Sequence, residues 1–442
     1  MRSNKLSGGL VAVLAVFTAI LVVGTGAAAQ TERILHDFAD NGTDGYETYS
    51  GLIFDGAGNL YGTTLEGGTN KNCYDENIGC GTVFELSPNG SGGWTQTILH
   101  DFGGGSDGRN PDASLVFDAA GNLYGTTLYG GTGVCNGVEN SCGTVFELVA
   151  SAGGGWTEKV LYSFGGNGTD GYVPSGSLIF DAAGNLYGTT GTGGVHGLGT
   201  VFELSPAEGG GWTEKMLHSF TGTDGSSPLA NLIFDAVGNL YGTTWAGGSH
   251  KQAGTVFELM PTRASGGWTI KTLHDFGGGS YDGAQPHAGL IFDAAGNLYS
   301  TTQTGGTGAC GFPGCGTVFE LSATTGGRWT STILHNFDNN GADGYEPLAG
   351  LTLDHEGKLY GTTFVGGTGA CKHSGCGTVF ELEPAAGGGW TETVLYSFPG
   401  YTAGYWPASS LIFDSRGNLY GTTVNGGTDT GAVAGTVFEI VP

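Results

Sequence analysis

Ile34-Leu35-His36-Asp37-Phe38, near the head of the chain, recurs as Ile98-Leu99-His100-Asp101-Phe102 and, with substitutions, at five later places. Each later copy is the last of four motifs in fixed order, whereas the first has no such motifs before it. The opening motif contains Leu-Ile-Phe-Asp and begins at Leu52, Leu115, Leu178, Leu232, Leu290, Leu351 and Leu411. Gly-Asn-Leu-Tyr-Gly-Thr-Thr follows, centred on Tyr61, Tyr124, Tyr187, Tyr241, Tyr299, Tyr360 and Tyr420. Gly-Thr-Val-Phe-Glu-Leu comes third, through Phe84, Phe146, Phe202, Phe257, Phe319, Phe380 and Phe438. The fourth, Trp-Thr-x-x-x-Leu-His/Tyr-x-Phe, follows the third only six times, because the chain stops at Pro442. Its seventh copy is the isolated one at the head.

All four motifs are short, rich in β-branched and aromatic residues, and bounded by Gly, Asn, Asp or Pro, which is the signature of strands. Their nearly continuous apolar runs predict sheets buried on both faces, as propeller blades are. A split repeat unit has a physical reason only in a closed ring, where the head strand completes the tail sheet; an open array would leave strand edges bare. The expected fold is an all-β, seven-bladed β-propeller with four antiparallel strands per blade. The expected blades run approximately over residues 51–102, 114–164, 177–220, 231–276, 289–337, 350–398 and 410–441, the last completed by 33–38, within one domain spanning 30–442.

The Gly-Asn-Leu-Tyr-Gly-Thr-Thr and Gly-Thr-Val-Phe-Glu-Leu motifs resemble those of the Gloeobacter/Verrucomicrobia-type (GloVer) tandem repeat family, over residues 33 to 442. The strand rhythm is also similar to that of NHL-type propellers. The resemblance implies an exported repeat protein and supplies no catalytic residue.

Glycine is abundant, at 90 of 442 residues, but 38% hydrophobic and 11% aromatic residues exclude a disordered polymer, so the glycines belong in turns. Arg2 and Lys5 precede an apolar run from Leu10 to Val23 and the small residues Ala27-Ala28-Ala29. Residues 1–29 therefore read as a secretory signal, with an uncleaved N-terminal anchor as the alternative, and no later segment could span a membrane as a helix. The formal net charge of −26 argues against nucleic acid as a partner. Secretion or periplasmic residence suits the cysteines, whose close pairs Cys73/Cys80, Cys135/Cys142, Cys310/Cys315 and Cys371/Cys376 predict local disulfides. Each pair is expected in one equivalent loop, just before the third motif.

With the strands of a blade called A to D from first to fourth, the A-B and C-D links fall on one face of the disc and the B-C and D-A links on the other. The A-B links are nearly invariant, as tight hairpins demand, while the B-C links vary in length, which points to the B-C/D-A face as the binding face. The D-A links carry Asp-Gly at Asp44, Asp107, Asp170, Asp224, Asp282 and Asp343, with Asp40 and Asp338 as extra carboxylates. Turn formation and calcium (Ca2+) binding are both open to these oxygens. Tyr46, Tyr172, Trp245, Tyr345, Tyr405 and Trp406 are candidates to stack on a ligand at that face. The recurring tryptophans and the strand-D histidines read as packing residues. No nucleophile–base set, HExxH or phosphate loop is present, so the expected function is non-catalytic: a monomeric binding or scaffold protein at the cell envelope or outside the cell, with carbohydrate or an envelope protein as its partner. The alternative is a lyase or hydrolase acting on a polysaccharide or lactone from the central channel mouth.

Overall fold

The computed structural model describes residues 30–441 except 71–72, 74–77, 104, 136–137, 140–141, 152, 166–168, 251–252, 263–265, 278–281, 312, 372–374 and 428–433. The secretory signal expected over 1–29 lies outside the described residues. Seven antiparallel sheets follow one another, six of four strands and the last of five, because Tyr405–Pro407 also pairs with Leu419–Asn425. In blade one, strands A (Ile53–Phe54), B (Leu60–Thr64), C (Thr82–Pro88) and D (Trp94–Asp101) lie side by side in chain order. The A-B hairpin is tight because Asp55 organises it. Its Oδ1 accepts the backbone N–H of Ala57 and of Asn59, and its Oδ2 accepts the Asn59 amide and the Tyr61 hydroxyl. Blade six builds the same turn from Asp354 and Tyr360, although Lys358 replaces the asparagine.

The sheets meet at seven equivalent junctions, each with its own buried apolar cluster. The phenylalanine closing strand D of one blade packs edge-on against the strand-C phenylalanine of the next, as in Phe102 on Phe146 at 5.2 Å and Phe398 on Phe438 at 5.1 Å. Trp156 lies against Tyr61 of the blade before, a packing role for the recurring tryptophan. The Thr-Thr pair ending motif two has two duties. Thr190 bonds Thr200 within its blade, while Thr189 donates to the Ala230 carbonyl of the following one.

Blade seven consists of strands A (Ile412–Phe413), B (Leu419–Asn425) and C (Thr436–Val441), and Thr31–Asp37 is its strand D. Ile34 lies opposite Phe438, and Thr422 donates to the Ser50 carbonyl of blade one, so head and tail close the ring. Among the described residues, no helix is long and apolar enough to cross a membrane.

The four expected disulfides form, joining Cys73 to Cys80, Cys135 to Cys142, Cys310 to Cys315 and Cys371 to Cys376. The pairs lie in the equivalent links expected, and the second member of each is deeper than a surface staple. Cys80, Cys142, Cys315 and Cys376 are fully buried and belong to the apolar clusters at the blade junctions. Each stands one glycine before strand C, so its sulfur enters the core with that strand and the disulfide ties a surface link to it. One correction concerns burial of the strands. In blade one, strand B and most of strand C are buried on both faces, but strand D is exposed or half-buried along its length, because it is the outermost strand of its wedge.

Candidate functional site

The D-A links pair directly with the B-C links. Gly45–Tyr46 forms a two-stranded ribbon with Glu66–Gly67, and Gly344–Tyr345 does so with Val365–Gly366. The two kinds of link therefore share a face, as the A-to-D order of the strands requires. After each ribbon the chain turns through a left-handed residue: Glu47, Asn110, Val173, Ser227, Gln285, Glu346 or Trp406, with φ between 53° and 62°. This conformation is costly for a side-chain-bearing residue and persists only where neighbours fix it. They do so here from both sides: the Asn110 N–H donates to the Cys80 carbonyl of the preceding blade, and its own carbonyl accepts the Leu128 N–H. The carbonyls of Cys142, Cys315 and Cys376 accept the N–H of Val173, Glu346 and Trp406 in the same way, so the buried cysteines help to hold this face. Six of the seven links then continue with proline.

Beyond that turn each blade sends residues to the axis, where they enclose a channel cavity of about 450 Å³. Its walls differ by layer. The middle layer is small in every blade, including Ser50, Ala113, Gly176 and Ala230. The layer next to the B-C/D-A face is Tyr49, Asp112, Ser175, Leu229, His287, Leu348 and Ala408, six residue types at seven equivalent positions. A ring otherwise made of like units thus loses its symmetry at the channel mouth, with aromatic, acidic, hydroxyl, imidazole and aliphatic groups facing one lumen.

The electrostatics of that layer follow from enclosure. Asp112 keeps partial exposure to the lumen but is surrounded by protein, and burial pushes its pKa up to about 6. Tyr49 is pushed up to about 12, first by burial and then by the carboxylates of Glu47, Asp112 and Glu66. Burial holds His287 below the usual imidazole range, against the opposing effect of its bond to Leu348. The carbonyl of Leu348 lies 3.3 Å from its Nδ1, so Nδ1–H donates and Nε2 is left as an acceptor. No ion pair joins His287 to Asp112 among the described residues. The mouth therefore offers a neutral acceptor, a carboxyl group that titrates near neutrality and several aliphatic surfaces.

The residues expected to bind ligand divide into two groups. Tyr46 and Tyr345 are buried in the ribbons, where Tyr172 and Tyr405 occupy the same position. Trp245 occupies the position that Leu65 and Leu128 use to line the cavity, and Trp406 the position of Val173. Trp406 stacks on Phe364 at 5.4 Å, and the Trp245 ring N–H donates to Gln303. The link aspartates sit at the blade junctions, away from the axis. Asp44, Asp107, Asp224, Asp282 and Asp343 meet the strand-D histidines at 3.0 to 3.4 Å, and Asp170 accepts the Tyr162 hydroxyl. They also accept backbone N–H groups, as Asp282 does from Gly277 and Gly283. Burial raises Asp224, but hydrogen bonds from His218 and Thr221 outweigh it and hold it down at about 2. Asp338 accepts the Ala309 N–H, and Asp40 is exposed. None of the channel-mouth layer was a sequence candidate, and His287 read as one of several scattered loop histidines. The signal lay in the aligned copies: three residues before each Leu-Ile-Phe-Asp, the sequence stops repeating.

The family model described as the Gloeobacter/Verrucomicrobia repeat matches residues 22–213, 133–312 and 311–442. A search of curated proteins finds no match. Among solved structures, PorZ, a bacterial surface component of the type-IX secretion system of Porphyromonas gingivalis, is 15% identical with a TM-score of 0.48. The match covers 90% of this chain and 47% of PorZ, so the chain spans about half that protein's length. A protein from Thermus thermophilus described as an oxidoreductase (glucose dehydrogenase) is 14% identical with a TM-score of 0.40, over 93% of this chain and all of that one.

Proposed function

This chain belongs to the Gloeobacter/Verrucomicrobia repeat family, and we propose that it acts as a non-catalytic binding or scaffold propeller at the cell envelope or outside the cell. A glycan end or a peptide would enter the channel mouth on the B-C/D-A face. The observation that carries this reading is the break in seven-fold likeness at Tyr49, Asp112, Ser175, Leu229, His287, Leu348 and Ala408, around a cavity of about 450 Å³. Packing alone would be met by the small residues of the layer beneath. A mixed polar and aliphatic wall of this size suits a compact ligand presenting hydroxyls on one side and an apolar surface on the other. Four disulfides and the leader-like head of the sequence support an oxidising location.

The test is a glycan array with peptide pull-downs from envelope extracts, run on the wild type and on Leu229→Trp/Leu348→Trp, which fills the lumen. A ligand held at submillimolar affinity by the wild type and lost by the filled variant supports the reading; no ligand, or binding indifferent to filling, contradicts it.

A second reading is a propeller enzyme, a lyase or hydrolase, favoured by one observation. Asp112 is pushed upward and His287 downward within one cavity, as an acid and a base working together would be. Turnover on a polysaccharide or lactone panel, abolished by Asp112→Asn or His287→Gln, would replace binding with catalysis.

A further inference from the structure

At the junction between blades five and six, three groups converge. His335 comes from strand D of blade five, Asp343 from the link into blade six, and Glu392 from strand D of blade six (Trp390–Ser397). One potential ligand atom from each lies within 4.8 Å of the other two. The same three positions exist at every junction, and other copies complete their hydrogen bonds differently. At the first junction Asp44 Oδ1 accepts the Gly45 N–H at 2.8 Å and the Gln96 amide at 2.7 Å. In blades four and five, Ile270 and Ser331 stand where Glu392 does, so only two of the three groups could ligate there.

The blade-six junction is left unfinished. The Asp343 side chain is nine-tenths buried, and while its Oδ2 accepts the Asp338 N–H, its Oδ1 has no hydrogen-bond partner in the protein. Glu392 Oε1 is likewise buried without a partner. His335 Nε2 lies 3.4 Å from Asp343 Oδ2 without forming a hydrogen bond. Buried oxygens and an imidazole nitrogen left unmatched at one point are costly unless something answers them. At the first junction the Gln96 amide answers the aspartate; at the second, Glu158 Oε1 is also without a partner, but His100 bonds Asp107 there and the three groups do not converge.

We propose that His335, Asp343 and Glu392 form a binding site for one divalent transition-metal ion, with zinc as the best match. Two carboxylates and one imidazole would neutralise its charge, at ligand distances of about 2.0–2.2 Å and with a fourth position open. The imidazole and the small number of ligands separate this site from a calcium site, which takes about six to eight oxygens. By bridging strands D of adjacent blades, the ion would clamp one of the seven seams.

Titration of metal-free full-length protein with ZnCl2 tests this, with CoCl2 as a spectroscopic probe of the same site. The expected result is one equivalent of tight uptake with a rise in melting temperature, and a visible Co2+ band of tetrahedral intensity. Glu392→Gln and His335→Asn should each weaken uptake about tenfold or more and remove the band. Glu158→Gln, at the second junction, should change neither; there His100, Asp107 and Glu158 stand without forming a set as close. Absence of tight uptake, or uptake that survives both variants, overturns the assignment. Matching circular dichroism of apo wild type and Glu392→Gln separates loss of a ligand from loss of fold.

Discussion

At the residue scale, the repeats are rigid in sequence where one atom must fit between blades. Gly143 opens strand C of blade two with φ of 93°, and a Cβ there would lie 2.5 Å from Pro174 Cδ of blade three and 2.5 Å from the Thr127 carbonyl. Both the backbone conformation and the space demand glycine. Gly143→Ala should destabilise the protein by roughly 1–3 kcal/mol, read as a lower urea midpoint with an unchanged slope. At Gly184, also at positive φ but with open space around its Cβ site, alanine meets only the backbone cost and should be milder. Motif glycines, the Thr-Thr pair and Asp-x-x-Gly-Asn all announced themselves by recurrence. What recurrence could not announce was the purpose of a position that fails to recur, and Asp112 and His287 are of that kind.

At the element scale, the strand inventory was legible because four motifs repeat in order, and the offset of one motif revealed how the ring closes. The cysteine pairs were legible by spacing, but spacing says nothing of depth, and the burial of Cys142, Cys315 and Cys376 follows from the strand each one introduces. Another feature that escaped is a β-bulge in every C-D pair, between Val83 and Phe84 in blade one and at matching places elsewhere. An extra residue on one strand leaves no mark in a pattern already nearly continuous in apolar character. The ribbons between links also escaped, being only two residues long and made of Gly with a variable neighbour. Because Thr31–Asp37 supplies all of the outer strand of blade seven, deleting residues 30–38 should expose the edge of Thr436–Val441 and the buried surfaces of Phe84 and Val437. The expected outcome is a protein that elutes as aggregate or shows a broad, early melt; a truncated chain melting as sharply and as high as the full one would refute that role.

At the scale of the whole molecule, acidity and enclosure set the response to pH. Burial, and then Asp107 and Asp170 respectively, push Glu158 and Glu214 up to about 7 from an ordinary value of 4.5. Glu32 is also pushed up to about 7, by burial acting against its bond from Tyr396. Between those values the folded chain holds protons that the unfolded chain has released, so stability falls as pH rises from about 5 through 7. Asp224, held down at about 2, acts the other way only below pH 4, where its support is lost. The net charge of −26 adds self-repulsion as the pH rises. The melting temperature should therefore be higher at pH 5 than at pH 8; equal or reversed values would count against buried, proton-holding glutamates at the seams.

The closed ring makes the axial cavity possible, and the head strand closes the ring. Amide hydrogen exchange followed by mass spectrometry measures that closure directly, on peptides covering 31–37 and 436–441. Exchange at 31–37 as slow as in the C-D pair of an interior blade, such as 200–206 with 212–219, is the predicted result. Rapid exchange at 31–37 beside protected interior blades would mean that the head strand is undocked, and with it the ring, the shared face and the channel mouth would fall.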